Sequence, residues 1–223
     1  MNQYGYILHY LPQTPYVPLF VVFGVFVLSY LLGSLNTSVI VGKIYGKDIR
    51  DFGSKNAGLT NTYRVLGKPA AALVLVGDVL KGVIACVIGI AIGVYFYWGL
   101  VPENLSLLAA GMGVIIGNNW PVYFGFRGGK GALTALAVLF MINWVMALIC
   151  LALYVTMVVL TRYSSLSTIC ATTLFAILAF IPIFGNPTLY FYVFSILMAL
   201  IIIFKHRENV KRLISGTENK LVF

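Results

Sequence analysis

The chain has 223 residues, of which 61% are hydrophobic and only 9% charged, with a mean hydropathy of +0.96. Soluble domains are about half apolar and about a quarter charged, so this composition excludes a large soluble core and indicates a polytopic membrane protein. The formal charge of +9 suits anionic headgroups or anionic substrates, whereas nucleic acid is excluded because too little polar surface exists to build a face for it.

A spanning helix needs roughly 20 apolar residues. His9 lies in the N-terminal tail and is assigned no role. The run 17–42 makes the first span. No Lys or Arg precedes Lys43, so this run lacks the basic region of a signal peptide and is expected to stay in the protein. Residues 43–68 are polar and basic. Spans follow at 69–98 and 105–123, joined by a turn at 100–104 that holds Glu103 and no cation. A basic turn occupies 126–131. The stretch 132–160 is long for one upright helix and short for two. A break near Asn143 is adopted, because it places Arg162 on the same side as Lys130. A loop at 161–165, a span at 166–184, a turn at 185–187, a span at 189–204 and a polar tail at 205–223 complete the chain.

The count is about seven helices, in an all-α polytopic membrane protein whose residues 1–223 form a single domain. No internal repeat or interdomain linker is evident. Except for Lys81, all 15 Lys and Arg residues lie outside the apolar runs or at their edges. Counting spans alternately puts 43–68, 127–130, Arg162 and the tail on one face. The positive-inside rule makes that face cytoplasmic, with the N-terminus outside and the C-terminus cytoplasmic. Cys86, Cys150 and Cys170 sit in apolar runs without CxxC spacing or a neighbouring histidine, so they read as small buried hydrophobes and no metal site is expected.

Four polar clusters converge on the cationic face. The first is Gly53-Ser54-Lys55-Asn56-Ala57-Gly58-Leu59-Thr60-Asn61, followed by Arg64. Its glycines permit positive φ and close backbone approach, and consecutive N–H groups in such a turn cradle an anion. Ser54, Asn56, Thr60 and Asn61 add donors, and Arg64 adds a fork suited to phosphate. The spacing is not that of a Walker A loop. The second is Gly117-Asn118-Asn119-Trp120-Pro121 with Phe126-Arg127-Gly128-Gly129-Lys130-Gly131, where loop amides, a helix start and a cation combine. The third is Arg162-Tyr163-Ser164-Ser165. The fourth is Lys205-His206-Arg207-Glu208-Asn209, in which one helical face would present both His206 and Asn209. An ordinary polar loop, a topology anchor, a helix cap and a cationic surface helix are the respective plain alternatives. Asp78 and Lys81 lie within a span, where charges are costly and either paired or functional. They can pair at i, i+3, or Asp78 can hold Arg64 or Lys130.

Taken together, these clusters resemble one family. The segments from Gly53 to Arg64, Asp78-x-x-Lys81-Gly82, Pro121 to Gly131 and His206 to Leu213 are similar to the bacterial acyl-phosphate-dependent glycerol-3-phosphate acyltransferases, in the right order over residues 31–218. The resemblance implies a membrane enzyme of seven helices in the bacterial cytoplasmic membrane, with its site on the cytoplasmic side. It implies transfer of an acyl group from acyl phosphate to the sn-1 hydroxyl of glycerol 3-phosphate, giving lysophosphatidic acid and phosphate, with no cofactor, metal or acyl carrier. It marks Ser54, Arg64, Lys130, His206 and Asn209 as catalytic. It marks Gly53, Asn56, Gly58, Thr60, Asn61, Gly128, Gly129, Ser165 and Asp78 as substrate-binding. The chain departs from the family pattern at Asn118, where a histidine is frequent, at Lys55, where a glycine is frequent, and at Asn36, where a proline is common.

Acyl phosphate is a mixed anhydride with a good leaving group, so the main task is to bring two anions together. Arg64 and Lys130 suit that screening. The proton of the attacking hydroxyl goes either to His206 or to the leaving phosphate, with the second favoured because no carboxylate is evidently placed to orient His206. A monomer embedded in lipid is expected. The rival reading is a transporter or channel for an anionic metabolite, in which cationic helix ends are also at home. The one-sided placement of the cations and the missing repeat oppose it.

Overall fold

The computed structural model describes residues 16–95, 104–184 and 188–221. His9, Glu103 and the turn at 185–187 lie outside the described residues. The structure is all-helical among the described residues: α1 (Tyr16–Gly33), α2 (Thr37–Ile44), α3 (Leu59–Leu66), α4 (Lys68–Tyr95), α5 (Leu105–Asn119), α6 (Ala132–Ile142), α7 (Trp144–Thr161), α8 (Ser164–Leu178), α9 (Leu189–Lys205) and α10 (Arg207–Ile214), with three short 3-10 turns. Four of these stretches are long and apolar enough to cross a membrane: Pro18–Ile44, Lys68–Tyr95, Leu105–Phe124 and Trp144–Thr161. α9 and α10, bent by 56° at His206, make a fifth if taken together, and α6 and α8 are apolar but shorter.

Most of the expected boundaries lie within a few residues of the observed helix ends, and the departures have local causes. The first span is interrupted at residues 34–36. There the Asn36 side chain accepts from the Val39 N–H at 3.1 Å and starts α2 as its cap. The stretch 132–160 breaks at Asn143, whose side chain accepts from the Met146 N–H at 3.0 Å and caps α7. α3 arises inside the polar segment between the first two long spans, where no helix is expected from hydropathy. α6 and α8 run only about 17 and 23 Å at 1.5 Å per residue, short of a hydrocarbon core of about 30 Å. Their N-terminal ends therefore stop beside the polar clusters rather than passing them.

Small residues hold the helices together, as they must where lipid gives no hydrophobic drive to association. α1 and α5 approach backbone to backbone. A Cβ on Gly117 would sit 2.2 Å from the Tyr30 carbonyl oxygen, and one on Gly113 would sit 2.4 Å from that of Phe26. On the α1 side a Cβ on Gly33 would meet the Val114 carbonyl oxygen at 2.2 Å. Gly82 and Gly89 do the same for α4 against α6 and α5. The core around this scaffold includes Val114, Ile115, Val138, Met146, Phe175, Met198 and Ile202.

The ion pair foreseen inside the second long span exists. Lys81 Nζ lies 2.7 Å from Asp78 Oδ1, with both side chains buried. Lys81 also donates to Asn118 Oδ1 at 2.7 Å and to the Leu35 carbonyl at 3.4 Å. Its cost of burial is thus offset by one carboxylate and two neutral acceptors.

Two outcomes follow. Gly117→Ala drives a methyl group into backbone and should cost about 3 kcal/mol or more, read as a lower thermal midpoint in detergent and a loss of monodisperse protein. Lys81→Met strands the Asp78 charge and should cost about 3–5 kcal/mol in the same assay, with Asp78→Asn/Lys81→Met recovering a large part of it.

Candidate active site

A cavity of about 390 Å³ opens where the four polar clusters meet, within the usual range for small-molecule sites. Ser54, Asn56, Arg64, Lys130, Ser165, His206 and Asn209 line one end. Leu136, Leu139, Leu151, Phe175, Met198 and Ile202 line the other. One end is cationic and rich in hydrogen-bonding groups, and the other is a hydrocarbon-like groove between helices.

Three helices begin at the polar end. α3 starts at Gly58, α6 at Gly131 and α8 after Tyr163, and none of these starts carries a side-chain cap. Gly58, Leu59 and Thr60, then Gly131 and Ala132, then Ser164 and Ser165 all line the cavity. The first N–H groups of a helix lack partners and carry partial positive charge, so an anion is the natural occupant. Gly131 takes φ +75°, a left-handed conformation that frees the α6 start from a side chain.

The loop before α3 is held by Asn61. Its Oδ1 accepts from the Ser54 N–H at 2.8 Å, and its Nδ2 donates to the carbonyls of Ile49 and Phe52, each at 3.0 Å. Asn61 is buried and acts as a clamp on the loop. Gly53 lies behind it, at φ +58°, where a Cβ would sit 2.4 Å from Asn61 Oδ1. Gly53, Gly128 and Gly129, expected to touch substrate, do not line the cavity. They permit close approach instead. A Cβ on Gly129 would meet the Ala57 carbonyl oxygen at 2.5 Å, and one on Gly128 the Asn118 carbonyl oxygen at 2.3 Å. The backbone of Gly129 also donates to the Asn118 carbonyl at 3.0 Å. Asp78 lines the cavity but is engaged by Lys81, and no contact joins it to Arg64 or Lys130.

Lys130 donates to Asn209 Oδ1, a neutral acceptor. Its charge is therefore not cancelled by direct pairing. Burial, with Arg212, Lys205 and Arg64 nearby, pulls the Lys130 ammonium down to about 8, opposed by Glu218. His206 caps the end of α9 and is buried. Its Nδ1 lies 2.8 Å from the Ile202 carbonyl oxygen. A carbonyl only accepts, so Nδ1 carries the hydrogen, and in neutral histidine Nε2 keeps its lone pair. The orienting group is thus a backbone carbonyl, not a carboxylate. Arg64 reaches across to the chain's end and donates to the Asn219 carbonyl at 3.1 Å.

Glu218, Asn219 and Tyr154 also line the cavity and are absent from the residues expected. Glu218 is one of only 6 acidic residues in the chain. A carboxylate standing in the cationic tail is the signal that could have found it. Asn118, in place of a frequent histidine, supplies the acceptor for Lys81, and its backbone carbonyl lies 3.4 Å from Asn36 Nδ2, so two of the departures meet.

A helical membrane protein with a phosphate-competent pocket continuous with an apolar groove defines the class: an integral membrane enzyme of anionic and acyl substrates. The family model for glycerol-3-phosphate acyltransferase matches residues 23–216. A glycerol-3-phosphate acyltransferase of Thermoanaerobacter pseudethanolicus is 45% identical over 196 residues, covering 87% of this chain and 93% of the relative. One of Fusobacterium nucleatum is 38% identical, covering 88% and 96%. Among solved structures, PlsY (YgiH), an integral membrane glycerol 3-phosphate acyltransferase in its glycerol 3-phosphate form, superposes with a TM-score of 0.80 at 35% identity, covering 92% of this chain and 96% of that one. A second form of the same protein, with lysophosphatidic acid, gives 0.77 at 34% identity. The chain belongs to the glycerol-3-phosphate acyltransferase family.

Lys130 is the group whose charge an anion would feel most directly. Its lowered value means the cation is complete below pH about 8 and lost as pH rises through it. Expected is a fall in kcat/KM above pH about 8, because kcat/KM reports the free enzyme. Lys130→Arg should hold its plateau to higher pH, and the two pH–rate profiles compare the forms directly.

Proposed function

We propose that this protein transfers an acyl group from acyl phosphate to the sn-1 hydroxyl of glycerol 3-phosphate, releasing phosphate and 1-acyl-glycerol 3-phosphate, the first acylation of bacterial phospholipid synthesis. The observation that carries this reading is the meeting of three uncapped helix starts, Arg64 and Lys130 with an apolar groove in one cavity. The phosphates lie at the cationic end and the acyl chain in the groove. The carbonyl carbon sits where the two halves join.

The chemistry then needs little covalent help. The glycerol hydroxyl oxygen attacks the acyl carbonyl carbon, the bond from that carbon to the phosphate oxygen breaks, and the phosphate leaves with the electron pair. Arg64, Lys130, the Ser54 hydroxyl and the N–H groups at the uncapped α3 start screen the repulsion of the two anions and stabilise charge on the leaving phosphate. Asn56, Gly58 and Thr60 complete that cradle. Asn61 acts through the loop it clamps. Ser165, His206 and Asn209 hold the glycerol side. Nε2 of His206 accepts from the attacking hydroxyl and aligns its oxygen, and the proton passes to the leaving phosphate. A backbone carbonyl behind Nδ1 fixes the ring but offers no negative charge to an imidazolium, which favours alignment over base catalysis.

The topology accompanying this proposal has seven crossings in one domain, the short α6 and α8 completing theirs through backbone that lines the polar cavity, with the N-terminus outside and the C-terminus cytoplasmic. The site then faces the cytoplasm of a bacterial cell membrane, where its soluble substrate resides. The clustering of Arg64, Lys130 and the tail at one end of the helices supports it.

The test is phosphate release from palmitoyl phosphate by purified protein in detergent or bilayers, with and without glycerol 3-phosphate. Release should depend on glycerol 3-phosphate, and Lys130→Ala should lower kcat/KM about 10³-fold. Turnover of acyl-CoA in place of acyl phosphate would overturn the choice of donor. For His206→Gln, a reduced rate with the wild-type shape of the pH–rate profile is expected. A lost ionisation in that profile would assign His206 as the base.

A further inference from the structure

Glu218 belongs to the segment after α10, and its side chain is only 7% exposed. Just before it the Thr217 N–H donates to the Arg212 carbonyl at 2.8 Å, and two further bonds tie the segment down after it. Arg64 donates to the Asn219 carbonyl at 3.1 Å, and the Leu221 N–H donates to the Arg162 carbonyl at 2.8 Å. The carboxylate therefore occupies a defined place in the cavity wall. Oε1 accepts from Ser165 Oγ at 2.7 Å and from Asn209 Nδ2 at 2.6 Å, while Oε2 accepts from Arg212 Nε at 2.7 Å. Burial raises the carboxyl, but these hydrogen bonds from Asn209, Ser165 and Arg212 outweigh it and keep the group ionised.

An ionised carboxylate only accepts. That decides the orientation of two neighbours that have a choice. Ser165 has a single hydroxyl hydrogen, and it is committed to Glu218, so what Ser165 presents to the cavity is lone pairs. Asn209 must turn Nδ2 towards Glu218, which turns Oδ1 towards Lys130. The Lys130 ammonium could not be met by the amide in the opposite sense. We propose that Glu218 is a positioning residue for the acyl acceptor: it holds Ser165 and Asn209 with their acceptor atoms towards the cavity, so that Ser165 receives a hydroxyl of glycerol 3-phosphate and Asn209 keeps the Lys130 ammonium in place. A site that accepts from the substrate hydroxyls favours a polyol phosphate over a phosphate lacking them, because buried acceptors are left unpaired by the second. Glu218 itself touches no substrate. Arg212 acts behind it, holding the far oxygen.

The inference rests on the reading of Ser165 and Asn209 as the glycerol side of the site, and the two can fail separately. KM for glycerol 3-phosphate, KM for palmitoyl phosphate and kcat would be measured for Ser165→Ala, Asn209→Ala, Glu218→Gln and Glu218→Asp, with thermal midpoints in detergent. Glutamine replaces one acceptor oxygen with an NH2 group and competes for the same partners. Aspartate keeps the charge for Arg212 but withdraws it from Ser165 and Asn209. Expected for both Glu218 variants is a rise of about tenfold or more in KM for glycerol 3-phosphate, with KM for palmitoyl phosphate within about twofold of wild type. If Glu218→Gln does not fold, Glu218→Asp alone carries the test. Unchanged KM for glycerol 3-phosphate in a folded Glu218 variant, while Ser165→Ala and Asn209→Ala raise it, overturns the positioning role. An equal rise in both KM values, accompanied by a lower thermal midpoint, assigns Glu218 to stability alone and overturns it too. A lower KM for glycerol 3-phosphate would make Glu218 an internal competitor of the substrate phosphate, the opposite of the proposal. Unchanged KM in Ser165→Ala and Asn209→Ala sinks the underlying reading of the site instead.

Discussion

The site depends on two stretches of backbone touching with no side chain between them. Gly129 lies against the Ala57 carbonyl and Gly128 against that of Asn118. This contact brings the loop before α6 against the loop before α3, and so sets Lys130 beside Ser54 and Arg64 around one cavity. Any larger residue at either glycine would push the loops apart, because its Cβ would sit 2.3–2.5 Å from a carbonyl oxygen, and binding that relies on two charges at fixed separation loses its geometry first. The glycines of this turn thus act at one remove from the substrate. The α1–α5 contact through Gly33, Gly113 and Gly117 is the foundation beneath them, because Asn118 stands in the last turn of α5.

The cations of the protein sort into two kinds by what accepts from them. Lys81 is closed: Asp78 neutralises it, and Asn118 and a backbone carbonyl take up its remaining donors. Lys130 is open: its acceptor is an amide oxygen, and burial, together with the cations around it, lowers its hold on a proton. A buried cation without a counter-ion is costly in the empty protein, and an arriving anion relieves that cost. The same logic explains the three uncapped helix starts. Caps would stabilise α3, α6 and α8 in isolation, and their absence leaves N–H groups for a ligand. Glu218 is the exception that completes the arrangement. Its negative charge is absorbed by Ser165, Asn209 and Arg212, away from direct contact with Lys130 and Arg64.

Much of this was legible in the chain. Hydropathy placed the long helices because a lipid-facing helix must be apolar along its length. The break at Asn143 was readable from length and charge placement. The residues around the cavity were readable too, since Ser54, Arg64, Lys130, Ser165, His206 and Asn209 all line it. Less legible was the division of labour among them. Gly53, Gly128 and Gly129 stand in the same motifs as the lining residues but do not line the cavity, and a motif does not say which of its members face inwards. Asn61 spends its amide on three backbone groups, a role that depends on how the loop folds back over it.

Composition and the spacing of cations were sufficient for a helical membrane protein with its polar clusters gathered at one end, because burial of backbone and charge in lipid obeys rules that act residue by residue. The family was equally open to reading from four ordered motifs. Contacts between segments far apart in the chain were decided only by tertiary structure. Arg64 meets Asn219 across 155 residues, and Ser165 meets Glu218 across 53. Such pairings depend on helix tilt, on the bend at His206 and on where short helices stop. These are properties of packing, and no single segment carries them.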